Sequence, residues 1–322
     1  MLFLARHATD SSPERLAQYG YHVVYHQILL ETLRNMGLDV TPAGELDALF
    51  GSIDFGFLYA IHSHAIFDGH ELLAPSIAAF RGVPCLGPAA PMRALSEDKV
   101  LAKHLARSIG IDVAEHMVID PHSPAGKSHA LRGSWILKPR GGIASDAIMK
   151  IDHPKDWPAA LASAADPRHE GREFIAEEFV PGLNLTVGVI EGFPPKTFSV
   201  FEEQGREGDN VLTKEGKRGF TANYSSAPYN GPGASEAQDV AAVLAAEMSP
   251  FDYARFDFRY DPGTERLVFL EVNMACNMAP ASVIAQAALE HGITYEQLVA
   301  HVFTYSLRRQ GNRRRQPSGS KT

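Results

Sequence analysis

The sequence predicts a mixed α/β and α+β fold that begins with a parallel-sheet domain. In the first ninety residues, short apolar strands alternate with amphipathic helices, an order that favours a parallel sheet with helices on its faces. Farther along, apolar segments are joined by Pro-Gly turns, as is typical of neighbouring strands in antiparallel sheets. The 322 residues suffice for two or three modules with cores of their own.

The composition argues against several functional classes. A formal net charge of −8 disfavours a body that binds nucleic acid. The sequence has no apolar run of membrane-spanning length and no signal-peptide layout, so no membrane association is expected. Cys85 and Cys276 are the only cysteines, which fits a cytoplasmic location and excludes a metal site built from cysteines.

The N-terminal elements follow from periodicity. Apolar residues at helical spacing from Val24 to Met36 predict a helix that Gly37 ends, and a second helix is expected to end at Gly82. Strands are expected at 2–5, near 38–41, at 54–61 and at 83–86. No G-x-G-x-x-G motif follows the first strand, so a dinucleotide-binding fold has no support.

The Pro/Gly-rich segment 83–92 marks a module boundary. After it, Ser96 is a good N-cap and predicts the start of a helix. Lys99 is unfavourable in the first turn of that helix, because the helix dipole disfavours cations there. Such a lysine is either an accident of the surface or a ligand of a phosphate.

A glycine turn follows the apolar strand that ends at Lys138. Backbone N–H groups at Gly141 and Gly142 could approach an anion there, although a lysine before glycines is weak evidence on its own. Two further strands are predicted within 174–190, with a turn at 181–182 between them.

The polar segment 202–233 has no clear period and is long for a connection. It is interpreted either as a lid that closes over phosphates or as a disordered insertion. Its candidate phosphate-binding cations are Arg206, Lys214, Lys217 and Arg218. Helices are expected near 234–248, 281–291 and 294–309. The basic end of the chain is expected to be disordered, with a functional basic arm as the alternative.

The apolar hairpin 253–273 carries an unusual set of polar residues, namely Arg255, Asp257, Glu271 and Asn273. With the turn centred near residue 264, the two acids would oppose each other and the arginine would oppose the asparagine, all on one face. Carboxylate and amide oxygens are ligands that Mg²⁺ prefers. The alternative is the solvated face of an amphipathic hairpin.

Taken together, five blocks resemble the ATP-grasp superfamily and, within it, the D-alanine–D-alanine ligase-like enzymes. In chain order they are IHSHAIFDGH, ALSEDKVLAKHLARSIGIDV, ILKPRGG, AEEFVPG and RFDFRY…FLEVN. The similarity covers residues 1–310, and its specificity comes from the order and spacing of the blocks. It implies an ATP-grasp fold with a domain at 1–95, two subdomains at 96–180 and 181–310 that clasp ATP, a lid at 202–233 and a disordered basic tail at 311–322.

The resemblance also implies a nucleotide site. Lys99 and Lys138 would contact the phosphates of ATP, and Lys217 would reach the γ-phosphate from the lid. The Glu177 side chain would bind the adenine amine. The other residues implied for the nucleotide are the hinge residues Glu178, Phe179 and Val180, the ribose-side Asn184 and Ser145 of the glycine loop.

The metal and substrate roles are implied in the same way. Asp257, Glu271 and Asn273 would hold two Mg²⁺ ions, with Mn²⁺ able to replace them. Arg255 would stabilise the charge of a tetrahedral intermediate. The implied substrate residues are His62, Arg255, Asn277 and Ser282, and His62 would lie near the nucleophile. The expected reaction joins a carboxylate to an amine through an acyl phosphate and releases ADP and phosphate.

Several positions depart from the family pattern. Asn277 stands in place of the glycine near the oxyanion hole, Asn184 in place of the ribose glutamate, Ala144 in place of a serine and Arg218 in place of a tyrosine. The glutamate motif after the first strand is missing. These departures predict amino-acid-type substrates other than D-alanine alone, as in specialised metabolism such as antibiotic biosynthesis. A homodimer is expected by resemblance.

Four alternatives stay open at the level of the sequence. An intramolecular ligase would close a ring within one substrate. His62, His64, Asp68 and His70 could form a transition-metal site. The chain could bind nucleotides without catalysis, or it could carry out another ATP-grasp reaction, such as phosphorylation or carboxylation, without forming an amide.

Overall fold

The computed structural model describes residues 1–51, 54–61, 70–122, 133–141, 147–192, 196–205 and 224–314. Its helices are α1 (Pro13–Tyr19), α2 (Tyr21–Asn35), α3 (Leu73–Phe80), α4 (Ala90–Glu97), α5 (Lys99–Ser108), α6 (Trp157–Ala164), α7 (Ala234–Met248), α8 (Val283–Glu290) and α9 (Tyr295–Arg314). Its strands are β1 (Leu2–Leu4), β2 (Thr41–Ala43), β3 (Leu58–Ala60), β4 (His116–Ile119), β5 (Trp135–Pro139), β6 (Met149–Ile151), β7 (Phe174–Glu178), β8 (Leu183–Ile190), β9 (Lys196–Gly205), β10 (Tyr224–Pro228), β11 (Tyr253–Asp261) and β12 (Arg266–Asn273). Over these ranges, none of the helices combines the length and the apolar character needed to cross a membrane.

The first sheet is parallel, as the sequence predicts. Its strand order is β2-β1-β3, and Cys85 extends the edge by bridging to Leu58. Helix α1 lies before the predicted helix, which is α2. The spacing of apolar residues does not predict α1, because none of its residues is buried. Its start depends instead on Ser12, whose side chain accepts a hydrogen bond from the Arg15 backbone.

The other two sheets are antiparallel. One has the order β4-β7-β5-β6 and the other has the order β10-β9-β8-β11-β12. The strands predicted within 174–190 are both present as β7 and β8, but they belong to different sheets. Residues 179–182 therefore connect the two antiparallel sheets.

The cores combine segments that are distant in the sequence. Helices α8 and α9 share one apolar core with β1 and α2 of the N-terminal region. Residues Ala102 and Ala106 of α5 share another core with β8, β11 and α7. Consequently, α5 packs on the five-stranded sheet although it precedes the four-stranded sheet in the chain.

Three predicted boundaries need correction. Ser96 is not an N-cap; it is buried inside α4, and its hydroxyl donates to the Arg93 carbonyl. The cap of α5 is Asp98, because the backbone turns extended only there, and its carboxylate accepts from two N–H groups of the first turn. Within segment 202–233, residues 202–205 belong to β9 and residues 224–228 to β10, while residues 206–223 lie outside the described ranges. Helix α9 extends to Arg314, four residues into the segment predicted to be disordered.

A buried carboxylate joins the last helix to the N-terminal connector. Asp252 is fully buried and accepts hydrogen bonds from the Gly87 backbone (2.6 Å), the Ser306 hydroxyl (2.7 Å) and Arg309 Nη2 (2.8 Å). The same Arg309 nitrogen donates to the Gly87 carbonyl at 2.9 Å. The carboxylate of Asp252 and the guanidinium of Arg309 thus compensate each other's charge at a place from which water is excluded.

We expect Asp252→Ala to lower the free energy of unfolding by about 3–5 kcal/mol, because Arg309 would keep a buried charge without its partner. Urea denaturation measures the change. Asp239→Ala, on the exposed side of α7, is the matched control and should change stability by less than about 0.5 kcal/mol. Equal effects of the two substitutions would contradict the role of Asp252.

Candidate active site

The β11–β12 hairpin adopts the register that the sequence predicts. Asp257 opposes Glu271 and Arg255 opposes Asn273. The register shifts only after Asp257, between it and Phe258, so the irregularity leaves the polar pairs intact. The four side chains therefore lie on one face of two neighbouring strands.

Arg255 and Asp257 form a bidentate ion pair on this face. Arg255 Nε lies 2.9 Å from Asp257 Oδ1, and Arg255 Nη2 lies 2.8 Å from Asp257 Oδ2. The Thr186 hydroxyl donates to Asp257 Oδ1 at 3.0 Å. Burial raises the pKa of Asp257; the charge of Arg255 opposes this rise, and that of the buried Glu203 adds to it. Asp257 thus holds the Arg255 guanidinium, and Glu203 is a second acid near this pair.

Glu271 is the more accessible of the two opposed acids. Its side chain is 37% exposed, and its Oε2 lies 3.6 Å from Lys99 Nζ. Lys99 is the first residue of α5, and its backbone N–H donates to the Arg140 carbonyl in the turn after β5. The Arg140 guanidinium binds the Asp98 carboxylate at 2.8 Å. These contacts bring the start of α5, the turn after β5 and the acid hairpin together.

A second cluster of charges is buried, and it consists of Lys103, Lys138 and Glu177. Glu177 Oε2 lies 2.8 Å from Lys103 Nζ, and Oε1 accepts from Lys138 Nζ at 2.9 Å. Burial would raise the pKa of Glu177, but the two lysines outweigh it and leave the pKa at about 2. Both carboxylate oxygens therefore already have lysine partners, whereas the sequence interpretation gave this carboxylate to an adenine amine.

The connection between the two sheets carries the predicted hinge residues. The Phe179 ring lies beside Lys150 Nζ (4.5 Å) and the Arg259 guanidinium (5.1 Å). The carbonyl of Val180 accepts from Arg259 Nε at 2.8 Å. Asn184 accepts from Arg259 Nη1 at 2.8 Å and donates to the Glu203 carbonyl at 3.0 Å.

Glu178 lies at the rim of this connection, where its carboxylate pairs with Arg266 at 3.1 Å. The Glu178 side chain therefore binds β12 of the five-stranded sheet, while Arg259 orders the residues that follow Glu178.

Two predicted substrate residues have structural roles in this conformation. Ser282 is buried and caps α8 by accepting from the Ala285 backbone. Asn277 donates to the Tyr21 hydroxyl at 3.1 Å and accepts from the Ala279 backbone at 2.8 Å. Within the described ranges, the only non-glycine residues with positive φ are Ala147 and Glu265, so Asn277 does not adopt the left-handed backbone that a glycine permits.

Some predicted residues lie outside the described ranges. They are His62, His64, Asp68, Gly142, Ala144, Ser145, Arg206, Lys214, Lys217 and Arg218. In the part of the chain that is described, His, Cys, Asp and Glu side chains form no group of three that could hold a metal ion. The hairpin set differs in composition, because it combines two carboxylates with the amide of Asn273.

The sequence interpretation missed Lys103, Arg259 and Glu203. Lys103 could have been found, because it lies three residues from both Val100 and Ala106 on the apolar side of α5, where a lysine is unusual. Arg259 continues the polar alternation of β11 beyond Asp257. No sequence pattern pointed to Glu203, because it lies in a polar segment whose strand conformation the sequence does not show.

Comparisons with known proteins agree with this architecture. The family model described as "D-ala D-ala ligase C-terminus" matches residues 105–304, well over half of the chain. The D-alanine–D-alanine ligase of Acidiphilium cryptum (strain JF-5) is 28% identical over 81% of this chain and 80% of its own. That of Gluconobacter oxydans (strain 621H) is 25% identical over 86% and 91%.

Solved structures show the same fold. The D-alanine–D-alanine ligase from Bacillus anthracis complexed with ATP superposes with a TM-score of 0.74 at 17% identity, covering 97% of this chain and 98% of that one. D-alanyl-alanine synthetase A from Vibrio cholerae gives a TM-score of 0.75 at 16% identity, covering 95% and 97%. The chain therefore has the ATP-grasp fold and belongs to the family of the D-Ala–D-Ala ligase C-terminus, a family of carbon–nitrogen ligases.

Proposed function

We propose that this protein is an ATP-dependent ligase that joins the carboxylate of one amino-acid-type substrate to the amine of another. The observation that carries the proposal is the hairpin face on which Arg255, Asp257, Glu271 and Asn273 converge beside Lys99. Phosphoryl transfer depends mainly on positioning and charge neutralisation, and this face supplies cations and oxygen ligands together.

The proposed reaction has two steps. A substrate carboxylate oxygen attacks the γ-phosphorus of ATP, the bond to the β-phosphate oxygen breaks, and ADP leaves. The amine of the second substrate then attacks the acyl carbon, loses a proton and expels phosphate. Both steps develop negative charge, which preorganised cations stabilise most effectively in a site shielded from water.

Lys99 and Lys138 are proposed to bind the phosphates of ATP, and Glu178, Phe179 and Val180 to contact the adenine ring. Support comes from the position of these three residues, because Phe179 and Val180 lie in the connection between the two antiparallel sheets and Glu178 immediately precedes it. Glu177 is retained as a candidate for the adenine amine, since a carboxylate oxygen can accept more than one hydrogen bond. Asn184 would face the ribose.

The oxygen donors of the hairpin fit Mg²⁺. Glu271 is accessible, and Asn273 and Asp257 lie on the same face. Two Mg²⁺ ions, replaceable by Mn²⁺, would be held by these three residues together with phosphate oxygens and water. The ions would supply neutralisation of phosphate charge. Because Arg255 and Thr186 already hydrogen-bond Asp257, this carboxylate would be oriented before a metal arrives.

Arg255 is the proposed stabiliser of the tetrahedral intermediate. The bidentate pair with Asp257 fixes the plane of its guanidinium, so little reorganisation accompanies the reaction. Lys217, His62 and Ser145 complete the proposal as ligands of the γ-phosphate, the acyl substrate and the phosphates, respectively. The second substrate's carboxylate is assigned to the region of Ser282.

We also propose that the substrates differ from a pair of D-alanines, as expected of an enzyme of specialised metabolism. Asn277, bonded to Tyr21 on α2, gives the substrate side a different polar surface from the glycine of the family. A cytoplasmic homodimer is part of the same proposal, and light scattering of the purified protein tests the dimer.

We expect Glu271→Gln to lower kcat/KM for ATP by about 100-fold to 1,000-fold, because a neutral amide cannot balance the cations that bind the phosphates. Asp257→Asn should have a similar effect and also reduce stability, since Arg255 loses its charged partner. ATP-dependent phosphate release measures both. Asp261→Asn, in the turn of the same hairpin, is the matched control and should leave kcat/KM unchanged. A Glu271→Gln enzyme with wild-type activity would refute the hairpin assignment.

Phosphate release across pairs of D- and L-amino acids, with mass spectrometry of the products, should identify the substrates. We expect ADP formation that requires both an acid and an amine, and a product whose mass is their sum less one water. A phosphorylated product without an amine would indicate a kinase instead. Loss of water from a single substrate would indicate an intramolecular ligase. A D-alanine pair as the best substrate would refute the altered specificity.

A further inference from the structure

Lys103 is a fully buried lysine in the middle of α5. Its ammonium group makes three polar contacts, to Glu177 Oε2 at 2.8 Å, to the Leu270 carbonyl at 2.8 Å and to the Phe269 carbonyl at 3.2 Å. The two carbonyls accept hydrogen bonds from the ammonium, and the contact with Glu177 is a buried ion pair. The contacts reach two different sheets, since Glu177 belongs to β7 and the two carbonyls belong to β12.

Two of these contacts, those with Glu177 and Leu270, lead directly to residues of the proposed site. The other oxygen of Glu177 accepts from Lys138, whose ammonium is thereby fixed on β5. Leu270 immediately precedes Glu271 on β12, and Glu271 faces Lys99, one helical turn before Lys103 on α5. One buried ammonium therefore lies between the phosphate lysine of one sheet and the acid hairpin of the other.

We propose that Lys103 is a positioning residue that sets the distance between Lys138 and Glu271, and so shapes the site for the phosphates of ATP. The inference rests on the proposed function, because it assumes that these two residues face the nucleotide. Without the ammonium, Glu177 would keep only Lys138 as a charged partner, and two backbone carbonyls would lose their donor. Lys138 and the hairpin would then no longer be held in place through the same side chain.

The charge of Lys103 gives this role a pH dependence. Burial lowers the pKa of Lys103 to about 8, although Glu177 opposes the change; Lys138 adds to it by repulsion. The charged or titratable groups that face it are Glu177 from β7, Lys138 from β5, Glu271 from β12 and His116 from β4. Because the pKa is lowered, the ammonium is present below pH 8 and is lost as the pH rises through that value.

The test compares Lys103→Met and Lys103→Arg with the wild-type enzyme, using calorimetric binding of Mg·ATP between pH 7 and pH 9. Lys103→Met should weaken ATP binding about 10-fold at pH 7, as expected for the loss of charged hydrogen bonds, with little change in the KM of the amine substrate. The wild-type affinity should fall about fivefold by pH 9, as one titrating group would produce. Lys103→Arg should show no such decline, because arginine stays charged. The exposed Lys155→Met is the control and should behave as the wild type.

A folded Lys103→Met protein with wild-type ATP affinity would overturn the inference. If that variant does not fold, parallel pH profiles for the wild type and Lys103→Arg would overturn it. If neither variant folds, a wild-type affinity that is constant from pH 7 to pH 9 would do so. A wild-type protein that binds no ATP at all would refute the proposed function and this inference together.

Discussion

The antiparallel register of β11 and β12 is the constraint on which the site depends. Strand alternation sends every second side chain to one face, so a shift of one residue would move the acids to the opposite face. Here β11 is a central strand, paired with β8 on one side and β12 on the other, and both ladders hold its register. The apolar side chains on the other face, such as Phe256 and Phe258, are buried in the core. A large apolar core therefore fixes the position of a few polar atoms.

Buried charges recur at the points where segments meet. Lys103 with Glu177 and Lys138, and Arg309 with Asp252, bring opposite charges together away from water. The pair of Arg255 and Asp257 is partly buried. Such pairs contribute little net stability, since desolvation offsets most of their attraction. They discriminate strongly against arrangements that separate the partners, because a lone buried charge is costly. We infer that these pairs serve mainly to fix the geometry between segments.

The sequence predicted the elements whose signal is local. The hairpin register followed from a Pro-Gly turn and an alternation of aromatic residues, and the parallel sheet followed from the order of strands and helices. The start of α5 was misplaced, because Ser96 and Asp98 are both good caps and only the preceding helix decides between them. The partners of Lys103 and Asn277 could not be predicted, since each contact joins residues that are far apart in sequence. Tertiary contacts of this kind have no local pattern.

The shared core of α2, β1, α8 and α9 has a consequence for synthesis on the ribosome. The N-terminal segment emerges first, yet the apolar surfaces that cover it, including Val299, Val302 and Phe303, are translated last. Until those residues appear, the core around Leu29 and Leu33 is incomplete and part of its apolar surface stays exposed. The first sheet can therefore acquire its final packing only after α9 has left the ribosome.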